Sequence, residues 1–474
     1  MKLRGTFYKT ILATFFLSFS CCLSADPIVI GAFEKLCCEH DFMQQGFDEI
    51  DVIRTSTLKA VGKKEWTIIL YVSADNDLAP FAIRNIKQMA QVGSNEHFTI
   101  VVQLDIRKTN GTKVTRRYRI EKGAIIHVNA DDPDSQAMNS GDPETLISCC
   151  TWAINDYPAD KYALVLWNHG SGILDPRRCR APHLEELFHF NPRTHLLEID
   201  RSIGYIERML QRGICFDDST KHYLSYQNLD YALDKICTNL IDGKFSVIAF
   251  DACLMQMVEI AHLVKNYAEV MVGSQEAGLG YGWNYADVLD PLKEGGVTVS
   301  TFAEHIVDSY ERSYIRITSD YTMSAIDLAY VEKIERNINS VACLLMEGLR
   351  QQKNGLVKKT IKASRNKMVC THFDEPSYID LHHFYGNMLT NMDYIQLRSL
   401  KDNMLFKIQL EGLLEEGRKI IEEVVFACTS GKRIAFARGI SIYFPEYSIH
   451  DSYRKNSFAE KNNWIKFLKQ YLLL

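Results

Sequence analysis

Apolar and polar positions fall into a repeating block pattern along this chain. Four short apolar runs, Trp66–Val72, Phe98–Leu104, Lys161–Trp167 and Phe245–Phe250, are rich in β-branched and aromatic residues. Runs of that length and composition read as strands buried on both faces. Each stops at polar turn formers: Ser73-Ala74-Asp75-Asn76-Asp77, Asp105, Asn168-His169-Gly170-Ser171-Gly172 and Asp251-Ala252-Cys253. Between them the apolar spacing becomes helical over Leu78–Val92 (with Gly93 as the stop), Asp142–Asn155, Ser225–Leu240 and Leu254–Lys265. Glu269–Gly273 reads as a fifth strand. Thr112–Ile120 alternates after Asn110-Gly111, which predicts part of a hairpin.

Residues 173–222 have weak periodicity, with Pro176, Pro182 and Pro192, and read as an insertion or long loop with at most short helices. Beyond Thr298 helical spacing dominates, over Phe302–Arg316, Val331–Gln351 and Met404–Cys428. Tyr321–Leu328 and Gly439–Phe444 are the later strand candidates. No internal repeat is present. Buried strands alternating with helices predict an α/β fold with a mostly parallel sheet flanked by helices. Such sheets bind ligands at the carboxyl ends of their strands, where Asp75, Asp105, His169 and Cys253 fall. The expected organisation is a leader over 26–64, an α/β domain over 65–330 and a mixed, largely helical C-terminal domain over 331–474.

Composition changes this picture little. At 474 residues, 46% hydrophobic and 24% charged, the chain matches ordinary globular proteins, which excludes pervasive disorder. A net charge of −5 gives no global basic field for nucleic acid, and the tyrosines of Tyr378–Tyr385 lack a basic groove beside them. Lys2, Arg4 and Lys9 precede a short apolar run, Ile11–Ser20, followed by Ser24 and Ala25. That order reads as a secretory signal over 1–25 and predicts export to the periplasm, cell surface or exterior. Membrane contact is expected only through this signal or a lipid at Cys21, a poor attachment site because Phe19 is bulky. There are thirteen cysteines and no CxxC pair. Cys149, Cys150, Cys237, Cys343 and Cys428 sit in apolar periodic segments and read as small core residues.

The strand-end motifs carry the candidate chemistry. A cysteine nucleophile needs a base to take its proton, and a start-of-helix position favours the thiolate. His169 can be that base, and then protonate the leaving group. The oxyanion that develops needs fixed donors, which the backbone N–H groups of Gly170 and Cys253 can supply. Taken alone, His169 reads first as a polar loop residue and Cys253 as a small buried one. Acyl transfer requires that the two strand ends meet.

These residues bring a family into view. Trp66 to Leu78, Trp167 to Gly172, Asp251-Ala252-Cys253 and Gly282-Trp283 resemble the clostripain family of cysteine peptidases, within the group that shares the caspase-like fold. Ser324–Leu328 and Gly439–Pro445 are weaker echoes. The resemblance implies a caspase-like mostly parallel sheet, a cysteine endopeptidase, and a Cys253–His169 dyad working through a thioester. It also implies an oxyanion hole at Gly170, peptide or protein substrates and no required cofactor.

Family members often prefer arginine or lysine before the scissile bond, and Asp251 matches the pocket acid; a buried acid tying the strand end is the other reading. A second acid is replaced here by Tyr281, which weakens that preference. Some relatives cut themselves between the histidine and the cysteine; Arg177, Arg178, Arg180, Arg193 and Lys221 are the basic residues on offer. Calcium is associated with some members, and Asp75, Asp77, Asp105 and Asp131-Asp132 could supply oxygens, although Asp75 and Asp77 also suit a turn and a helix start. His382-His383 and His189 to His195 read as surface or packing residues, not metal ligands. The second reading of the whole chain is a catalytically silent caspase-like module that binds a protein. The oligomeric state is not legible.

Overall fold

Nine of the eleven residues of Lys64–Ala74 are buried, so this strand must be covered on both faces. The computed structural model describes residues 52–54 (backbone only), 62–108, 110–128, 137–175, 188–199, 213–241 and 243–474. In chain order the strands are β1 (Val52–Arg54), β2 (Lys64–Ala74), β3 (Phe98–Arg107), β4 (Lys113–Glu121), β5 (Ala124–His127), β6 (Ala159–Trp167) and β7 (Phe188–Asn191). They continue with β8 (Leu196–Ile199), β9 (Phe245–Asp251), β10 (Ala268–Gly273), β11 (Thr322–Asp327), β12 (Tyr378–Asp380), β13 (Val425–Ser430) and β14 (Ser441–Tyr443). Ten of them form one sheet in the order β1-β5-β4-β3-β2-β6-β9-β10-β11-β13.

The centre of this sheet, β3-β2-β6-β9-β10, is parallel. Antiparallel pairs extend it, β3 with β4 on one side and β10-β11-β13 on the other. The parallel core needs crossover helices, and their ends carry the expected signals. Asp142 caps Pro143–Asp156 by accepting from the Glu144 N–H, and Ser225 caps Tyr226–Ile236 by accepting from Asn228. Ala79–Val92 stops at Gly93, whose φ of 72° puts it in the left-handed region. A side chain there would also collide with the Lys122 backbone. This arrangement is the caspase-like α/β fold expected from the sequence.

Three expectations need correction. The helix expected over Met404–Cys428 ends at Val424, and Val425–Ser430 turns into strand β13 beside β11. This strand pairs with the open edge of β11, a partner about a hundred residues upstream that the helical spacing before it could not reveal. The main sheet therefore crosses residue 330 and draws its last strand from the C-terminal region. Residues 188–199 form a hairpin, β7–β8, inside the segment read as a loop. The strand candidate over Gly439–Phe444 is present as Ser441–Tyr443, paired with Tyr378–Asp380 in a two-stranded sheet. Cys343 and Cys428 are exposed, on a helix's outer face and an edge strand, while Cys149, Cys150 and Cys237 are buried; none of the described cysteines is bridged. The expected leader and signal lie outside the described residues, save 52–54 and 62–64.

The C-terminal region is held by stacked aromatics. Phe444 meets Phe384, Trp464, Phe467 and Tyr471 at ring centroid distances of 5.3–5.7 Å, mostly edge to face. Arg365 lies over the same ring at 5.2 Å and donates to the Phe444 carbonyl. Phe444→Ala should therefore cost about 3–5 kcal/mol, read as a lowered midpoint in urea unfolding.

Candidate active site

Strands β6 and β9 run parallel with Trp167 opposite Asp251. His169 and Cys253 each stand two residues beyond that last pair, so the two motifs leave the sheet side by side. The Asn168 N–H donates to the Asp251 carbonyl at 3.3 Å and carries the contact past the strands. Gly170 then packs directly on the nucleophile loop: a methyl group there would stand 2.3 Å from the Cys253 carbonyl oxygen. His169, Asp251 and Cys253 line one cleft, with Gly278, Trp283 and Tyr310 among its walls.

Cys253 does not begin a helix, contrary to expectation. The helix spans Val258–Val264 and starts five residues later. Leu254 takes a left-handed φ of 64°, and the Met257 N–H turns back to the Met255 carbonyl at 2.9 Å before the helix begins. Backbone bonds hold this segment: Leu254 N–H to Glu276 O, Gln256 N–H to Ser274 O, and Ser441 N–H to Gln256 O. A helix dipole cannot then act on the thiol. The donor that reaches it is the Gly278 N–H, 3.2 Å from Sγ.

The histidine is oriented by a carboxylate that sequence reading assigned to a helix start. His169 Nε2 lies 2.9 Å from Asp77 Oδ1, with the imidazole almost fully buried. A neutral imidazole donating Nε2–H to a carboxylate carries its basic lone pair on Nδ1. Asp77 reaches this place because β2 pairs with β6, Val72 opposite Trp167, so the Ser73–Leu78 turn emerges beside the histidine. The carboxyl-end position of Asp77 was the available signal.

Asn168 fastens the histidine loop from the other side. Its side chain donates to the Ser73 and Phe216 carbonyls and accepts from the Phe216 N–H. It ties the histidine loop to the chain returning from the insertion. Asp217, next in that returning chain, is fully buried and bonds the Lys113 ammonium, which also lies 3.1 Å from Asp105 and 4.0 Å from Asp75. Arg107 pairs with Asp75 at 3.0 Å. Burial pushes the Asp105 carboxyl up to about 7 despite Lys113.

These acids do not suit calcium. Asp75 and Asp105 converge on cations the chain itself supplies, and Asp77 serves His169. Asp131-Asp132 lies outside the described residues. No group of three or more His, Cys, Asp or Glu able to hold a metal occurs among the described residues. His382 sits 2.9 Å from Glu422, and His383 accepts from the Thr371 N–H.

Asp251 is among the residues that line the cleft, and its carboxylate accepts from the Trp283 N–H at 3.1 Å and the Tyr285 hydroxyl at 2.9 Å, tying the strand end to the 282–285 turn. Gly282, at φ 60°, leaves room for it: a side chain would come within 2.7 Å of Asp251 Oδ2. Burial pushes Asp251 up to about 7, against the lowering effect of those two donors. Tyr281 points its ring to the Ala79–Val92 helix, against Phe81 at 5.3 Å and under Arg84 at 4.6 Å. Its neighbours Gly280 and Gly282 line the cleft.

A cysteine and a carboxylate-held histidine thus stand on adjacent parallel strand ends of a caspase-like fold. The sequence profile of the Clostripain family matches residues 70–182 and 200–471, and the chain belongs to that family. Clostripain of Hathewaya histolytica is 27% identical over 255 residues, which are 49% of this chain and 43% of that protein. The chain thus matches less than half the length of that curated relative.

Solved structures with the same fold include a secreted C11 cysteine protease from Bacteroides thetaiotaomicron in complex with an irreversible peptide inhibitor. It is 19% identical, with TM-score 0.53 over 85% of this chain and 98% of that one. An inactive zymogen C11 protease from Parabacteroides distasonis is 16% identical, with TM-score 0.53 over 86% and 99%.

The buried Asp251 predicts a pH-dependent stability. Its folded-state value lies above the ordinary carboxylate value, so the native state holds the proton longer than the unfolded one. That contribution is present at acid pH and is lost as pH rises from about 4 through about 7. Asp251→Asn should flatten this part of the decline, measured as the urea midpoint of each protein across that pH range.

Proposed function

We propose that this protein is a cysteine endopeptidase in which Cys253 attacks the scissile carbonyl and His169 handles the proton. The register of β6 against β9, which sets both residues at one cleft, carries this reading, and family membership supports it. The Cys253 thiol gives its proton to His169, and the sulfur bonds to the carbonyl carbon. The oxyanion is met by backbone N–H groups, with those of Gly170 and Cys253 as our candidates. The tetrahedral species collapses, the C–N bond breaks, and His169 protonates the leaving amine. Water, deprotonated by the same histidine, then hydrolyses the thioester. Asp77 acts on the reaction only through His169, as a positioning residue.

For specificity we propose an arginine or lysine before the scissile bond, paired by Asp251 at the cleft wall. A cation there would favour the ionised carboxylate. Tyr281, engaged with Phe81 and Arg84, supplies no second acid, so the preference should be weaker than a two-acid pocket gives. Self-processing within 173–222 belongs to the same reading. Arg193 and Lys221 stand exposed in the described part, while Arg177, Arg178 and Arg180 lie outside it. The zymogen form of a structural neighbour is consistent with such a step. Export is proposed from the amino-terminal pattern and the secreted neighbour; no described helix is long and apolar enough to cross a membrane.

Cys253→Ala should lower hydrolysis of arginyl reporter peptides by about 10³-fold or more and abolish labelling by a thiol-reactive peptide ketone. Retained turnover in that variant would refute the peptidase, and a folded wild type that neither cleaves nor labels would favour the silent binding module. Asp77→Asn should reduce kcat by about 10²-fold with KM nearly unchanged, and Asp77→Glu should recover part of it; a matching rise in KM would contradict the positioning role. In the wild type, kcat/KM for arginyl over leucyl peptides should climb as pH rises through about 7, where Asp251 ionises. Asp251→Asn should remove that climb.

A further inference from the structure

Away from the cleft, one surface joins two features that the proposed peptidase does not use. Between residues 346 and 367 the chain carries seven lysines and arginines against a single acid, Glu347, in a protein of net charge −5. Lys353, Lys359, Lys362 and Lys367 are exposed, and none has an ion-pair partner among the described residues. The helix Leu356–Ser364 buries Val357, Thr360 and Ile361 and so turns Lys359 and Lys362 outward.

Beside it runs an apolar ridge. Helix Leu400–Val424 buries one face through Phe406, Leu410, Leu414, Gly417, Ile421 and Val424, but its first turns expose Leu400 (89%), Met404 (68%) and Ile408 (56%) in a stripe of four-residue spacing. The two features meet. The Lys353 N–H donates to the Gln396 carbonyl at 2.9 Å, and the Arg398 N–H to the Gln351 carbonyl at 3.1 Å. Arg398, Lys401 and Lys407 add positive charge along the ridge, against Asp393 and Asp402.

We propose that this face docks the protein on an anionic lipid bilayer, with the lysines over the head groups and Leu400, Met404 and Ile408 entering the interface. Clustered lysines are drawn to an anionic membrane surface, and a short aliphatic stripe adds apolar burial. The same charge repels a second copy of this face, which argues against a symmetric dimer through it. The ridge is aliphatic and lacks the aromatic platform that single-stranded nucleic acid would need. Docking would hold the cleft near substrates displayed at a membrane.

The test is flotation of the full chain with vesicles of phosphatidylcholine alone or containing phosphatidylglycerol, at low and high salt. The readout is the difference between the two lipids, which removes any charge-independent insertion by the apolar amino terminus. The wild type should bind the anionic vesicles at least about tenfold better, with the gain lost in high salt. Lys359→Glu/Lys362→Glu and, separately, Leu400→Ser/Met404→Ser should each abolish most of that gain while leaving peptide hydrolysis and the melting curve unchanged. Equal binding to both lipids, or an anionic-lipid gain that survives both pairs of substitutions, would overturn the proposal. So would concentration-dependent self-association by sedimentation velocity that only Leu400→Ser/Met404→Ser removes, because it assigns the ridge to a second copy.

Discussion

The pairing of β6 with β9 is the constraint on which the rest of the site depends. Parallel strands share a direction, so their carboxyl ends leave the sheet on the same edge. With Trp167 opposite Asp251, the next two residues of each strand necessarily emerge together. A one-residue slip would turn every side chain of one strand to the other face. The burial of β9 at all seven positions, and of β6 over its last six, resists such a slip. Gly170 is the local consequence, since so close an approach to the Cys253 carbonyl excludes a Cβ.

A second layer of order comes from buried charge. Lys113 is enclosed by Asp217, Asp105 and Asp75, and the segment that bears Asp217 also bonds Asn168 through Phe216. Ion pairs this deep add little net stability, because desolvation offsets the attraction, but leaving one partner alone is costly. Their effect is to permit one arrangement. The chain returning from the insertion, the Ser73–Leu78 turn and the histidine loop are joined, so the position of Asp77 is set by groups well outside the cleft. A cut upstream in the insertion would leave this returning segment attached.

Asp251 ties the end of β9 to a wall of the cleft. Its two donors fasten the 282–285 turn that forms a cleft wall, and that same burial keeps its proton until near neutral pH. The Tyr281 ring lies on the other side of that turn, against Phe81 and Arg84. The side chain at this point therefore packs against the helix.

Much of this was legible in the linear pattern. Short apolar runs rich in β-branched residues and ended by turn formers read as strands buried on both faces, so the parallel core, its crossover helices and the carboxyl-edge location of His169 and Cys253 followed from residue order. Local chemistry sufficed there because burial period and turn residues are properties of neighbours in sequence. Strand β13, the hairpin at 188–199 and the non-helical run after Cys253 were not legible. Each is held by a partner far along the chain: β11 for Val425–Ser430, Ile317 and Asp320 for Leu197 and Ile199 of the hairpin, and Ser274, Glu276 and Ser441 for Leu254–Met257. Asp77 belongs with them, since as a turn residue it satisfies local rules fully. Only the packing of β2 beside β6 makes it the carboxylate that holds His169, because hydrogen bonds between side chains depend on distance in space and leave no period in the sequence.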